Sequence, residues 1–267
     1  MTLLAHRPVV GGEDPRVAFY ADALDLLAGS DIPFLVGGTF AFARYTEIHR
    51  QTKDLDIFVR RSDCTRTLRV FDDSGYRTEL TYPHWLAKVR RGEDFMDVVF
   101  ASGNGIAVVD DEWFTHAAES EVLGMRLRLC PPEEMIWSKA FVQERERFDG
   151  ADVLHLLREA GKDLDWPRLL TRFGDHWPVL LSHLVLFGFV YPDRRDCVPP
   201  AVVDALTKRL AEQKQESANR TCFGTLLSRE QYLHDLASGY VDARLPPHGS
   251  MTPDDLTLWT DAIGKKT

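Results

Sequence analysis

Cysteine is scarce in this chain, and none of the four stands near enough to another to make a CxxC pair. That removes the ribbon-type metal motifs and the thioredoxin-type redox motif. Cys64, Cys130, Cys197 and Cys222 therefore read as free thiols in a reducing cytoplasm. Long hydrophobic runs are also missing. The greasiest stretch, residues 179–191, carries His183 and falls short of the ~20 apolar residues that a membrane span needs. It reads as a buried helix, and no membrane partner is expected. The first residues, MTLLAHR, show no basic start with a long apolar region behind it, so no export signal is expected and the cytoplasm is the expected compartment.

An excess of basic charge is absent as well. Lys and Arg number 32 against 41 Asp and Glu, for a formal net charge of −9. Coating a nucleic acid needs clustered Lys and Arg, so the balance argues against a surface built mainly for that purpose. A local basic groove stays compatible with it. No internal repeat or low-complexity tract is present. What remains is ordinary globular material, 44% hydrophobic and 27% charged over 267 residues. That length supports a sizeable core without disulfides or structural metal, in one large domain or two small ones.

Periodicity predicts an amphipathic helix over residues 15–28, then a short apolar strand, Ile32-Pro33-Phe34-Leu35-Val36, that ends in Gly37-Gly38. Thr39 to Tyr45 reads as helix. Leu55, Ile57 and Val59 alternate with Asp54, Asp56 and Phe58, a period-two strand. Residues 63–75 read as helix, residues 85–90 and 95–101 as a hairpin around Arg91-Gly92-Glu93-Asp94, and residues 125–129 as a strand. After Pro131 the character changes. Pro132 with Glu133 and Glu134 marks a helix start, expected to run to about Arg147. A second helix is expected from about Asp149 to Gly161, and only helices and loops follow Trp166. The expected class is α+β: a small mixed β-sheet with flanking helices up to residue 130, then a helical portion over 131–267.

Three features carry chemistry. A strand running into Gly37-Gly38 and then a helix lets backbone N–H groups approach a phosphate closely, although a tight turn with no ligand fits the same pattern. On the strand after it, Asp54 and Asp56 point to one face. Adjacent carboxylates repel and lose hydration unless a cation joins them, and such oxygen ligands suit Mg²⁺. A solvated edge-strand face is the other reading. Third, Asp97 sits inside the apolar strand Phe95-Met96-Asp97-Val98-Val99-Phe100, where a carboxylate calls for a metal or a partner such as Lys88 or Arg90.

In this order the three features resemble the DNA polymerase beta-like nucleotidyltransferase superfamily. Its pattern is hydrophobic-Gly-Gly/Ser, a helix, a hydrophobic-flanked Asp-x-Asp, and a third carboxylate. Residues 32–100 carry the likeness. The nearest branch holds aminoglycoside nucleotidyltransferases and the nucleotidyltransferase toxins of abortive-infection systems. Gly38 stands where many members have Ser, which leaves Thr39 as the hydroxyl available to a phosphate. The spacing from Gly38 to Asp54 is longer than the commonest one.

The resemblance implies a catalytic domain over 1–130 and a helical C-terminal domain over 131–267. It implies an enzyme that moves a nucleoside monophosphate from an NTP to a hydroxyl acceptor and releases pyrophosphate. Asp54, Asp56 and Asp97 would be the catalytic residues and hold two Mg²⁺ ions. Gly37, Gly38, Thr39 and Lys139 would bind the nucleotide. The acceptor would be a small molecule, or tRNA or protein as in the toxin branch, where an antitoxin would be a further partner. A fold that kept nucleotide binding but lost catalysis is the alternative.

Weaker candidates complete the reading. Arg147, Asp149 and Asp152 resemble a toxin-branch motif, while Asp149 also fits a helix N-cap with Asp152 as capping-box partner. His176 and His183 read as packing, and Trp113, Trp137 and Trp177 as core. Arg44, Arg60 and Arg61 are candidates to frame the nucleotide cleft. Residues 224–247 look like a specific signature with no chemistry attached.

Overall fold

The computed structural model describes residues 16–214 and 220–263. The first residues read above, and position 15 at the head of the first expected helix, lie outside them. The chain forms two compact units: one from residues 1–101 and 108–131, the other from residues 102–107 and 132–267.

The first unit is built on a mixed seven-stranded sheet. In chain order it comprises α1 (Arg16–Ala28), β1 (Leu35–Val36), α2 (Gly38–Thr46), β2 (Leu55–Phe58), α3 (Arg61–Asp73), β3 (Arg77–Tyr82), β4 (Leu86–Arg91), β5 (Asp94–Val99), α4 (Asp111–Thr115), β6 (Ala118–Val122) and β7 (Met125–Leu129). The strand order is β3-β4-β5-β2-β1-β7-β6. Central strands are apolar where they meet the core: Leu55, Ile57, Met96 and Val98 are fully buried. Helix α1 seats Phe19, Tyr20, Leu24 and Leu27 in that core, and the Phe19, Tyr20, Phe71 and Tyr76 rings meet edge-on or tilted. Such aromatic contacts add to the area that they bury.

Sheet edges explain two strands that periodicity does not reveal. In β3 and β6 most side chains are exposed or half-buried, so neither shows an apolar alternation. They are held by main-chain pairing to β4 and β7 instead. The β4–β5 hairpin turns more tightly than expected, on Gly92-Glu93 alone. Gly92 supplies the left-handed φ of 63°, and Arg91 pairs with Asp94.

The second unit is mainly helical: α5 (Pro132–Ala140), α6 (Gly150–Ala160), α7 (Trp166–Phe173), α8 (Trp177–Val190), α9 (Pro200–Glu212), α10 (Leu233–Ala237) and α11 (Pro253–Asp261). It also holds a short parallel pair, β8 (Thr221–Cys222) with β9 (Val241–Asp242), where the sequence predicts only helices and loops. Helix α5 stops at Ala140 rather than near Arg147. Beyond it Gln143 and Phe148 form a β-bridge, and Glu144 accepts hydrogen bonds from Ser228 Oγ and the Arg229 N–H. These tertiary bonds outweigh the helical propensity of the Gln-Glu-Arg run. Part of the signature over 224–247 thus serves to clamp this loop, and within the signature Arg244 makes a buried pair with Asp242 at 2.7 Å.

Glu133 and Glu134 do more than complement a helix end. Both are buried. Arg168 of α7 pairs with both of them, and Arg172 pairs with Glu134 at 3.2 Å. Helix α8 is only partly buried. Leu180, Leu184 and Phe187 face the core, while Val185 is 64% and Phe189 81% exposed. By length and composition Trp166–Val190 is apolar enough to cross a membrane. However, a 3-10 turn at Gly174–His176, entered with φ 48° at Gly174, breaks it and leaves 14 residues in α8.

Breaking a buried ion pair from one side leaves an uncompensated charge. Arg168→Met should therefore lower unfolding stability by about 3 kcal/mol, read by urea denaturation. An exposed control, Lys208→Met, should change it by less than about 0.5 kcal/mol.

Candidate active site

The site begins with the register of β2. Leu55 and Ile57 point into the core, so the alternation of the strand turns Asp54 and Asp56 the other way. Strand β5 runs parallel to β2 with Asp97 directly opposite Asp56. One ligand oxygen from each of Asp54, Asp56 and Asp97 falls within 4.8 Å of the others. All three residues are half-buried, and the three carboxylates form one acidic group close enough to hold a metal ion between them.

Neighbouring side chains fix two of the three. Thr52 Oγ1 lies 2.8 Å from Asp54 Oδ1, and it also lies 2.8 Å from the Asp54 carbonyl. Lys88 stands opposite Asp97 on β4, and its Nζ donates to Asp97 Oδ1 at 2.8 Å. Burial pushes the Asp97 carboxyl above its ordinary range. The Lys88 hydrogen bond and charge pull it back, and the Asp54 charge adds to the rise. Thr52 escaped the sequence reading. Its signal would have been a hydroxyl two residues before the first aspartate, placed to orient it.

The glycine pair closes against this group. The Gly37 N–H donates to the Asp56 carbonyl at 2.9 Å, and this bond ends the β1–β2 ladder. A Cβ on Gly37 would come within 2.0 Å of the Phe58 ring. One on Gly38 would come within 1.9 Å of Asp56 Oδ2, and Gly38 also has φ 51°. Bare backbone is therefore required at both positions. Helix α2 begins here without a side-chain cap, so the positive end of its dipole lies beside the Asp56 carboxylate. Thr39 is half-buried in the first turn of the same helix.

Other candidates are engaged elsewhere. Arg44 donates to Ser120 Oγ, Arg60 pairs with Asp111, and Arg61 lies over the Phe100 ring, so none is shown framing the triad. Lys139 belongs to the second unit, where it pairs with Asp152 at 2.9 Å and Asp149 at 3.3 Å. Asp149 precedes α6 but makes no side-chain cap bond. Its carboxylate instead takes Arg147 and Lys139. Burial alone would raise Asp149; these two cations outweigh it and hold the group below the usual carboxylate range. The capping expectation for Asp149 thus gives way to ion pairing, because two cations lie within reach of the same oxygens. His183 is buried with Nε2 2.9 Å from the Ala140 carbonyl, and His176 packs edge-on against Phe141. Both are packing residues, and Trp113, Trp137 and Trp177 are core.

The Gly38 geometry predicts a cost in two parts. Gly38→Ala should destabilise by about 1–2 kcal/mol from the left-handed φ alone, and more through the clash with Asp56. In a double-mutant cycle with Asp56→Ala, read by urea unfolding, the second substitution should recover part of that loss. Strictly additive losses would show that the two groups do not meet.

The family profile described as aminoglycoside-2''-adenylyltransferase matches residues 21–99, a segment that holds both glycines and all three aspartates. No curated protein matches the chain. Among solved structures, the antibiotic-resistance factor ANT(2'')-Ia is 16% identical, with a TM-score of 0.39 over 73% of this chain and 93% of that one. The lincosamide antibiotic adenylyltransferase LnuA, bound to lincomycin, is also 16% identical, with a TM-score of 0.38 over 54% of this chain and 96% of that one. These superpositions are distant, and the profile match carries the assignment. It assigns residues 21–99, and with them both glycines and the three aspartates, to a nucleotidyltransferase domain.

Proposed function

We propose that this enzyme is a divalent-metal-dependent adenylyltransferase that moves AMP from ATP to a hydroxyl of a small cationic acceptor of the aminoglycoside type and releases pyrophosphate. One observation carries the reading: Asp54, Asp56 and Asp97 come together in one oxygen-only group, beside a glycine pair that opens a helix. Hard oxygen donors at this spacing fit Mg²⁺. Two such ions, when bound, neutralise charge on the attacking and leaving oxygens of an in-line displacement.

The chain's own residues have distinct tasks in this reading. Asp54 and Asp56 would hold the metal, with Thr52 keeping Asp54 in place. Asp97 would complete the metal group and accept the proton of the acceptor hydroxyl. Gly37, Gly38 and Thr39 offer the N–H groups at the start of α2 to the phosphates. Lys139, a further candidate for the nucleotide, already gives two of its three N–H donors to Asp149 and Asp152. Positioning and charge neutralisation thus account for the chemistry.

Two observations favour a small cationic acceptor over tRNA. The matching family acts on aminoglycosides by its description, and these are polycations. The net charge of −9 attracts cations and disfavours a polyanion.

Asp54→Asn, Asp56→Asn and Asp97→Asn should each lower ATP- and Mg²⁺-dependent pyrophosphate release by about 10³-fold or more with the circular dichroism spectrum unchanged. Equal turnover in wild type and variants would refute the reading. With α-labelled ATP, label should appear on aminoglycosides and not on tRNA or protein. Label on tRNA or protein instead would overturn the acceptor assignment alone.

A further inference from the structure

Lys88 is the one lysine among the buried charged residues described, 7% exposed within the sheet. Lysine is seldom buried unless paired, and here the pairing has a particular place. Across three adjacent strands Lys88, Asp97 and Asp56 stand in register, so one positive and two negative groups line up, with Asp54 beside them. The ammonium lies 2.8 Å from Asp97 Oδ1 and 4.5 Å from the centre of the Phe95 ring. That cation–π contact and the strand pairing keep it at the cluster.

We propose that Lys88 is a resident countercation of the aspartate triad, stabilising it while metal is absent and weakening metal binding once metal arrives. The inference rests on the triad being the metal site. Three carboxylates this close repel one another, and a buried ammonium relieves the repulsion with little screening by solvent or salt. The same fixed positive charge opposes any cation that enters the group. Removing it therefore has two effects of opposite sign: a weaker metal-free fold and a tighter metal site. Lys88 is a positioning residue, acting through Asp97 and not on the substrate. Metal loading is thereby kept weak and reversible, and the carboxylates stay ordered between turnovers.

The test is Mn²⁺ binding to the metal-free full chain, read by the electron paramagnetic resonance signal of free Mn²⁺, with thermal unfolding alongside. Lys88→Met should tighten Mn²⁺ binding about tenfold and lower the metal-free Tm by about 4 °C. Lys88→Arg, which keeps the charge, should stay within about threefold of wild type. Lys88→Gln keeps an N–H donor without the charge, should behave like the Met variant, and serves if that variant does not fold. Unchanged or weaker Mn²⁺ affinity on removal of the charge overturns the proposal. Asp54→Asn separates the two levels of failure. If wild type binds Mn²⁺ no better than this variant, the metal-site reading falls together with the Lys88 inference. If binding depends on Asp54 but not on the Lys88 charge, only the Lys88 inference falls.

Discussion

The parallel pairing of β2 with β5 is the constraint on which the candidate chemistry depends. It sets Asp56 opposite Asp97, and the pleat carries Asp54 on the same side of β2. A slip of one residue would turn one set of carboxylates into the core and expose the apolar partners. That slip is opposed by the fully buried Leu55, Ile57, Met96 and Val98 on the other face. The acidic group is therefore held by the hydrophobic core behind it.

The glycine pair and the basic neighbour complete the electrostatics of that group. Gly38 brings the α2 N-terminus against Asp56, closer than any side chain would allow. Lys88 meets Asp97 from the opposite strand. A helix dipole on one side and an ammonium on the other make three adjacent carboxylates tolerable in a half-buried position. The second unit shows the same economy of charge. Glu134 is fully buried yet faces two arginines, and Asp149 is held by Arg147 and Lys139.

Legibility along the chain followed burial. Strand β2 and helices α1, α3 and α6 show in the sequence because one face of each is apolar, and β5 because over residues 95–99 it is apolar on both faces except at Asp97. The edge strands β3 and β6 do not, because backbone pairing holds them and their side chains carry no pattern. The end of α5 at Ala140 was hidden for a different reason. Residues 141–149 have helical composition, but Glu144 is bonded to Ser228 and Arg229, far away in sequence. Helix α8 is apolar nearly all round, and so its composition could not separate the buried Leu184 and Phe187 from the exposed Val185 and Phe189.

For the site, the sequence by itself determined the types of group and their local direction. Strand alternation puts Asp54 and Asp56 on one face, and a charged residue amid Phe95, Met96, Val98 and Val99 demands a partner. Only the tertiary structure decided which strand lies beside which. That choice sets Asp97 across from Asp56, divides Asp97 between Lys88 and its fellow aspartates, and assigns Lys139 to a pair of aspartates in the second unit. The physical reason is the range of the forces involved. Side-chain direction follows from a two-residue backbone repeat, whereas a carboxylate's partners follow from strand order, which the burial of the whole sheet fixes.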